Sequence, residues 1–104
     1  MSVLKIDGNN FDQEVLQSDL PVLLDFYADW CGLCKMMSPV IEELAGELSG
    51  QAKVGKVNVD DAAELSQQFN VMNVPTLVVV RNGKVVNKAI GARPKAELLK
   101  LLGL

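Results

Sequence analysis

The chain has 104 residues, of which 49% are hydrophobic and 22% charged, with a net charge of −3 at pH 7. This length predicts a single domain over residues 1–104, with one core that needs no disulfide staples. The acidic balance gives no electrostatic basis for binding nucleic acid or anionic membranes, and the longest apolar runs are too short to span a bilayer.

The chain begins with a pattern that predicts a strand followed by a helix. Residues 3–6 are predicted to form a short first strand. Asn10 and Gln13 have the spacing of a capping box, which indicates a helix start. The apolar residues that this helix is expected to bury are Phe11, Val15 and Leu16.

A buried strand and a long helix are predicted next. Residues 22–28 are almost continuously apolar, as in a strand that is covered on both faces. Residues 32–48 carry apolar side chains at helical spacing, and Pro39 lies within this stripe. Met36 and Met37 belong to the stripe, and we interpret both as core-filling residues.

The second half predicts a strand, a helix, two further strands and a last helix. The first four of these elements are predicted at residues 52–59, 63–69, 76–80 and 84–90. Asn82-Gly83 separates the last two strands and is a strong signal for a hairpin turn. Pro94 suits the first turn of the final helix. Strands linked by helices should be parallel, so the order predicts an α/β fold with a mixed sheet and helices on both faces.

Residues 30–35, with the sequence WCGLCK, contain both cysteines and the only tryptophan. Cys31 falls where the second strand ends and the long helix begins, and free N–H groups at a helix start stabilise a thiolate. Cys34 lies one helical turn further on and should be more shielded. This arrangement favours disulfide exchange, in which Cys31 attacks a substrate disulfide and Cys34 resolves the mixed disulfide.

Two other readings of the cysteine pair are a zinc site and an inert buried pair. A zinc site would need further ligands, and the chain has no histidine and no third cysteine.

The chain start lacks the basic and apolar regions of a signal peptide, so we expect a reducing, cytoplasmic location. In that compartment a close cysteine pair is more often catalytic or metal-binding than structural.

Asp25 interrupts the apolar second strand, where burial should raise the pKa of its carboxyl group. Such a group could accept the proton of Cys34 as that thiol attacks. Lys56 could be its charge partner if the second and third strands are neighbours. The alternative for Asp25 is an edge-facing or hydrogen-bonded aspartate without a catalytic role, and the alternative for Lys56 is an ordinary solvated lysine.

Val74 and Pro75 immediately precede the fourth strand. Bonds before proline are the ones with an appreciable cis population, although a trans bond has the higher base rate. Trp30 is either a substrate-contacting aromatic residue or a core ring, and its position beside Cys31 favours the former.

These residues together resemble the thioredoxin family over nearly the whole chain. The matching segments are residues 25–35, Pro39, residues 56–60, 74–76 and 82–83, and Gly91. The resemblance implies a central five-stranded mixed sheet flanked by four helices. It also implies a protein-disulfide reductase that binds no cofactor and works through a reversible Cys31–Cys34 disulfide. Thioredoxin reductase, a flavoprotein, would supply electrons from NADPH, and the substrates would be disulfide-containing proteins.

The resemblance also assigns roles to the site residues already singled out. Cys31 would be the nucleophile, Cys34 the resolving thiol and Asp25 the acceptor of the Cys34 proton. Lys56 would modulate Asp25.

The residues that would bind substrate lie around the cysteine pair. Pro75 would be a cis-proline facing the disulfide, and Val74 would offer backbone hydrogen bonds to an extended substrate. Trp30 and Gly91 would border the apolar docking surface.

The chain departs from the family pattern at two positions. Leu33 follows Gly32 where the family usually has proline, so this CGLC motif should tune the redox balance differently from CGPC. Leucine restores an N–H group and removes a rigid φ, and we hypothesise a somewhat more oxidising pair. Tyr27 replaces a common tryptophan, which is a milder change.

Three functions are therefore weighed for this chain. The first is a general protein reductant that acts as a monomer in electron transport and cell redox homeostasis. The second is a specialised relative with a shifted redox potential. The third is a binding subunit in which the cysteines are incidental, and the presence of both cysteines with Asp25 and residues 74–75 disfavours it.

Overall fold

The computed structural model describes residues 3–104, in which five strands form one mixed sheet in the order β1-β3-β2-β4-β5. The strands are β1 (Leu4–Lys5), β2 (Val22–Tyr27), β3 (Lys53–Asn58), β4 (Thr76–Arg81) and β5 (Lys84–Ile90). β3 pairs in parallel with β1 and β2, whereas β4 is antiparallel to β2 and β5. The predicted α/β fold with a five-stranded mixed sheet is confirmed.

Four helices accompany this sheet. They are a short π-helix (Asp12–Leu16), α1 (Gly32–Glu47), α2 (Ala63–Gln68) and α3 (Lys95–Leu102). None of the helices within residues 3–104 is long and apolar enough to cross a membrane.

The central strand β2 separates two apolar layers, which explains its nearly continuous apolar sequence. Successive side chains of a strand point to opposite faces. Leu23 packs with the side chains of α1 and α3, whereas Leu24 and Phe26 pack on the other face near α2. The core residues under α1 and α3 include Met37, Ile41, Leu44, Leu77, Leu98 and Leu102.

The hairpin between β4 and β5 forms where Asn-Gly predicts it. Asn82 and Gly83 have φ angles of +54° and +76°, a left-handed conformation that these two residue types accept with least strain. β5 pairs with β4 and is an edge strand of the sheet.

The predicted capping box at the first helix is wrong. The Asn10 side chain accepts a hydrogen bond from the Asp7 N–H at 2.9 Å and donates one to the Lys5 carbonyl at 2.8 Å. It therefore stabilises the preceding loop, and no side chain in the described part of the chain caps the π-helix. Val15 is buried as expected, but Leu16 is 40% exposed.

The apolar stripe of α1 is buried only in part. Met37 lies in the core, but Met36 is 73% exposed, so the interpretation of Met36 as core filling is wrong. Leu33 is 50% exposed. The first turn of the helix therefore presents large apolar side chains to solvent.

Candidate active site

The cysteine pair lies where β2 leaves the sheet and α1 begins. Cys31 is the N-cap of α1, with an extended backbone (φ −91°, ψ 112°), and its sulfur accepts a hydrogen bond from the Cys34 N–H at 3.2 Å. The first N–H groups of a helix lack partners within the helix and carry partial positive charge. The Cys31 sulfur therefore occupies a position where negative charge is stabilised.

The two sulfurs form a disulfide, and the Cα atoms of Cys31 and Cys34 are 5.3 Å apart. This separation lies in the ordinary range for a disulfide. Both cysteines are largely buried against Ala28, with Tyr27, Val59 and Val74 packed around them. The chain has no other cysteine, so all of its thiol chemistry is located at this helix start.

Asp25 lies in the sheet beneath α1. It alternates with Leu24 and so shares the face of Leu23, which packs against α1. Its neighbours in the sheet are Lys56 of β3 and Leu77 of β4. β2 and β3 are therefore neighbours, which is the condition under which Lys56 could be the charge partner of Asp25.

The Asp25 carboxyl group is fully buried, and within residues 3–104 neither of its oxygens has a hydrogen-bond partner. Burial raises its pKa from 3.8 to about 6, while the positive charge of Lys56 opposes this rise. The carboxyl group therefore changes its charge near neutral pH, a range suited to proton transfer.

Lys56 is half-buried, and within residues 3–104 its ammonium group contacts a ring and a hydroxyl group. Its Nζ atom lies 4.5 Å from the centre of the Tyr27 ring and 3.5 Å from the Ser38 hydroxyl oxygen. A cavity of about 110 Å³ lies beside it, lined by Tyr27, Ala28, Asp29, Cys34, Lys35, Ser38 and Lys56. Ser38 did not emerge from the sequence analysis, although its place four residues after Cys34 on a helix is a usable signal.

The loop before β4 lies against the disulfide. The Val74–Pro75 peptide bond is cis, as the family resemblance implies and against the base rate for the sequence alone. The Val74 carbonyl oxygen is 3.7 Å from the Cys31 sulfur. Gly91 has a φ of +94°, and its N–H donates a hydrogen bond to the Pro75 carbonyl at 2.8 Å.

Trp30 is 71% exposed and is a surface residue rather than a core ring. Its indole Nε1 donates a hydrogen bond to an Asp60 carboxylate oxygen at 3.1 Å, which fixes the ring beside the cysteines. A groove of about 260 Å³ borders it, lined by Trp30, Val59, Val71, Met72, Asn73 and Val74. Met72 is 90% exposed, and no feature of the sequence had identified it as part of this surface.

Comparison with known proteins gives a consistent result over nearly the full length. The Thioredoxin family model matches residues 2–103. A thioredoxin of Haemophilus influenzae is 47% identical over 100 residues, which cover 96% of this chain and 94% of that protein. Thioredoxin 1 of a Nostoc species is 42% identical over 94% of this chain and 92% of its own length. A thioredoxin of Staphylococcus haemolyticus is 43% identical, with coverages of 98% and 96%.

Proposed function

Because this chain belongs to the thioredoxin family and is a protein dithiol–disulfide oxidoreductase, we propose that Cys31 is its nucleophile and Cys34 its resolving thiol. The observation that carries this assignment is the Cys31 sulfur at the start of α1, accepting the Cys34 N–H. Cys34 is the second residue of the disulfide and lies within the first helical turn.

The proposed reaction begins with the Cys31 thiolate attacking one sulfur of a target disulfide. A Cys31–target bond forms, the target disulfide breaks, and the departing target sulfur takes a proton. Cys34 then gives its proton to Asp25 and attacks the Cys31 sulfur, the Cys31–target bond breaks, and the second target sulfur leaves and takes a proton. The target gains two electrons and two protons, and this protein ends with the Cys31–Cys34 disulfide.

Asp25 is the proposed acceptor of the Cys34 proton. It lies on the α1 side of the sheet, and its pKa of about 6 lets it bind and release a proton near neutrality. Lys56 would modulate Asp25, because it is the neighbouring strand residue and its charge favours the carboxylate. The absence of a hydrogen-bond partner within residues 3–104 argues against a purely structural aspartate.

The proposed substrate surface runs along the groove beside Cys31. An extended target segment would lie across Trp30 and form backbone hydrogen bonds at Val74, next to the cis Pro75. Gly91 would border the same surface, because its N–H is bonded to the Pro75 carbonyl.

We further propose the cellular setting that the family resemblance implies. The reduced dithiol would be regenerated by thioredoxin reductase with electrons from NADPH, and no cofactor would be bound by this chain. Residues 1–104 would act as a single-domain cytoplasmic monomer in electron transport and cell redox homeostasis, with no nucleic-acid or membrane partner.

Gly32 and Leu33 are the proposed tuning residues of the dithiol–disulfide equilibrium. Leu33 keeps a backbone N–H at the helix start that proline lacks, and this donor can support a thiolate. Leu33→Pro should therefore lower the redox potential, by roughly 20–40 mV for a donor contributing about 1–2 kcal/mol. Equilibration with glutathione measures the change, and an unchanged or raised potential would contradict the hypothesis.

The reaction itself is tested with a disulfide-containing protein substrate, NADPH and a thioredoxin reductase. Cys31→Ser should abolish turnover, whereas Cys34→Ser should accumulate mixed disulfides with target proteins because resolution is lost. The exposed Ser49→Ala variant serves as the matched control and should retain full turnover. Turnover that survives Cys31→Ser would overturn the assignment, and target binding without turnover in the unaltered protein would favour a binding subunit.

A further inference from the structure

Ser38 is a half-buried hydroxyl residue of α1 that faces the proton-accepting part of the site. It follows Cys34 by four residues, or about one helical turn, and lines the same cavity as Cys34 and Lys56. Its Oγ accepts a long hydrogen bond from Lys56 Nζ at 3.5 Å. We infer that Ser38 is a positioning residue that holds the Lys56 ammonium group close to Asp25. The inference rests on the proposed role of Asp25 as the proton acceptor.

Lys56 is not held in place by Asp25 itself. The two residues are paired across β2 and β3 and share the face beneath α1, but the Asp25 oxygens have no hydrogen-bond partner within the described chain. A lysine side chain has a long flexible stem, so its ammonium position depends on whatever contacts the end of that stem. Those contacts are the Tyr27 ring and the Ser38 hydroxyl.

Of these two contacts, Ser38 supplies the oxygen acceptor. Its side chain is short and belongs to a sixteen-residue helix, so the hydroxyl is a well-fixed point above the sheet. Tyr27 offers the face of a ring, which attracts the ammonium group without a directional hydrogen bond. Without the hydroxyl, we expect the ammonium group to move outward to water, because moving inward towards Asp25 would bury it.

Few other charged or titratable groups face this part of the molecule. The cavity is lined by Tyr27 at the end of β2, by Asp29 in the turn that follows, by Cys34 and Lys35 from α1, and by Lys56 from β3. The β4 neighbour of Asp25 is the uncharged Leu77. Among the described residues, Lys56 is the charge that acts on Asp25, so a change in its position should be detected at Asp25.

The first test is a carboxyl-carbon NMR titration of Asp25 in the full-length protein, with and without Ser38→Ala. Alanine favours a helix at least as well as serine, so the variant should fold. We expect the Asp25 titration midpoint to rise by about half a pH unit, roughly a threefold change in the ratio of protonated to ionised carboxyl group. The exposed Ser49→Ala variant should leave the midpoint unchanged. An unchanged or lowered midpoint in Ser38→Ala would overturn the inference.

The second test repeats the substitution in a Lys56→Met background. If Ser38 acts through Lys56, Ser38→Ala should cause no further shift there, because the charge that it positions is gone. A shift that persists would show a direct effect of Ser38 on Asp25 and would overturn the inference. Ser38→Thr, which keeps a hydroxyl group, should restore most of the original midpoint.

The same variants give a kinetic readout with a protein disulfide as substrate. Ser38→Ala should move the acid limb of the pH–kcat profile upward with the midpoint, while KM stays unchanged because the docking groove is not altered. The titration does not require turnover, so the two proposals fail separately. A protein that turns over with an unshifted midpoint contradicts the role of Ser38 alone, whereas turnover that survives Cys31→Ser contradicts the proposed function alone.

Discussion

The two ends of α1 differ in the side chains that they expose, although one buried stripe runs along the whole helix. In the C-terminal half, Ile41 and Leu44 are buried in the core and Glu43 and Glu47 lie outside. In the first turns, Leu33 and Met36 are exposed, and the residues beneath the helix include the buried acid Asp25 and the half-buried Lys56.

This difference separates the half of the helix whose exposed face is charged from the half beside which the reaction is proposed. Burying a carboxyl group without a partner costs free energy, and exposing large apolar side chains leaves surface in water. Both features work against stability, and both occur beside the disulfide. Both are accounted for by the proposed reaction, in which Asp25 accepts the Cys34 proton and a target protein docks on the apolar surface.

The sharpest test of this comparison truncates one leucine at each end of α1. Leu44 is fully buried, so Leu44→Ala should reduce the free energy of unfolding by about 3–4 kcal/mol through lost burial and the cavity left behind. Leu33→Ala removes the same atoms from a half-exposed position and should change it by less than about 0.5 kcal/mol. Urea unfolding at pH 7 measures both. Similar losses in the two variants would show that the first turn is also part of the core.

The second test is the substitution Asp25→Asn, which removes the buried carboxyl group beneath the first turns of α1. The Asp25 pKa is about 6 in the folded protein and 3.8 for an exposed group, so the unfolded chain releases this proton more readily. The wild type should therefore lose stability as the pH rises from about 4 to about 6, and the loss should level off above that range.

The expected loss relative to Asp25→Asn is about 3 kcal/mol by pH 7 to 8, from a shift of roughly two pKa units. Urea unfolding of the oxidised protein between pH 3.5 and 8 measures it. The exposed Asp19→Asn variant controls for the loss of a negative charge. Parallel stability curves for wild type and Asp25→Asn would show that the carboxyl group does not carry the predicted penalty.

Short sequence patterns correctly predicted the elements whose structure depends on a few neighbouring residues. The continuous apolar run of β2, the helical stripe of α1 and the Asn82-Gly83 turn each depend on a few neighbouring residues, and each lies where expected. Asp25 stood out for the same reason, since it breaks an apolar strand.

The rest depends on what lies opposite each side chain. Helical spacing placed Met36 on an apolar stripe but carried no information on whether another element covers that part of the helix. The Asn10 side chain had bonding partners in the preceding loop that compete with a helix cap. The spacing from Cys34 places Ser38 near the site, but its contact with Lys56 depends on the strand order that brings β3 beneath α1.

The smallest effect is expected at the charged exterior of the C-terminal half of α1. Lys95 of α3 forms ion pairs with Glu43 and, at 2.8 Å, with Glu47. Hydrogen bonds to Glu43 and Glu47 raise the pKa of Lys95, so this contribution to stability is present at neutral pH and is lost as the pH rises through the lysine titration. Lys95→Gln should therefore destabilise the protein far less than Leu44→Ala, because exposed ion pairs are strongly solvated.

Salt distinguishes the charge of Lys95 from the packing of its stem. At 1 M NaCl the screening length falls to about 3 Å, so most of the difference between wild type and Lys95→Gln should disappear. Lys100→Gln, a change at an exposed lysine of the same helix, provides the matched control. A loss that persists undiminished in salt would mean that the aliphatic stem of Lys95 stabilises the contact between α1 and α3. The exposed face of the C-terminal half of α1 would then contribute apolar packing to the fold, as its buried face does.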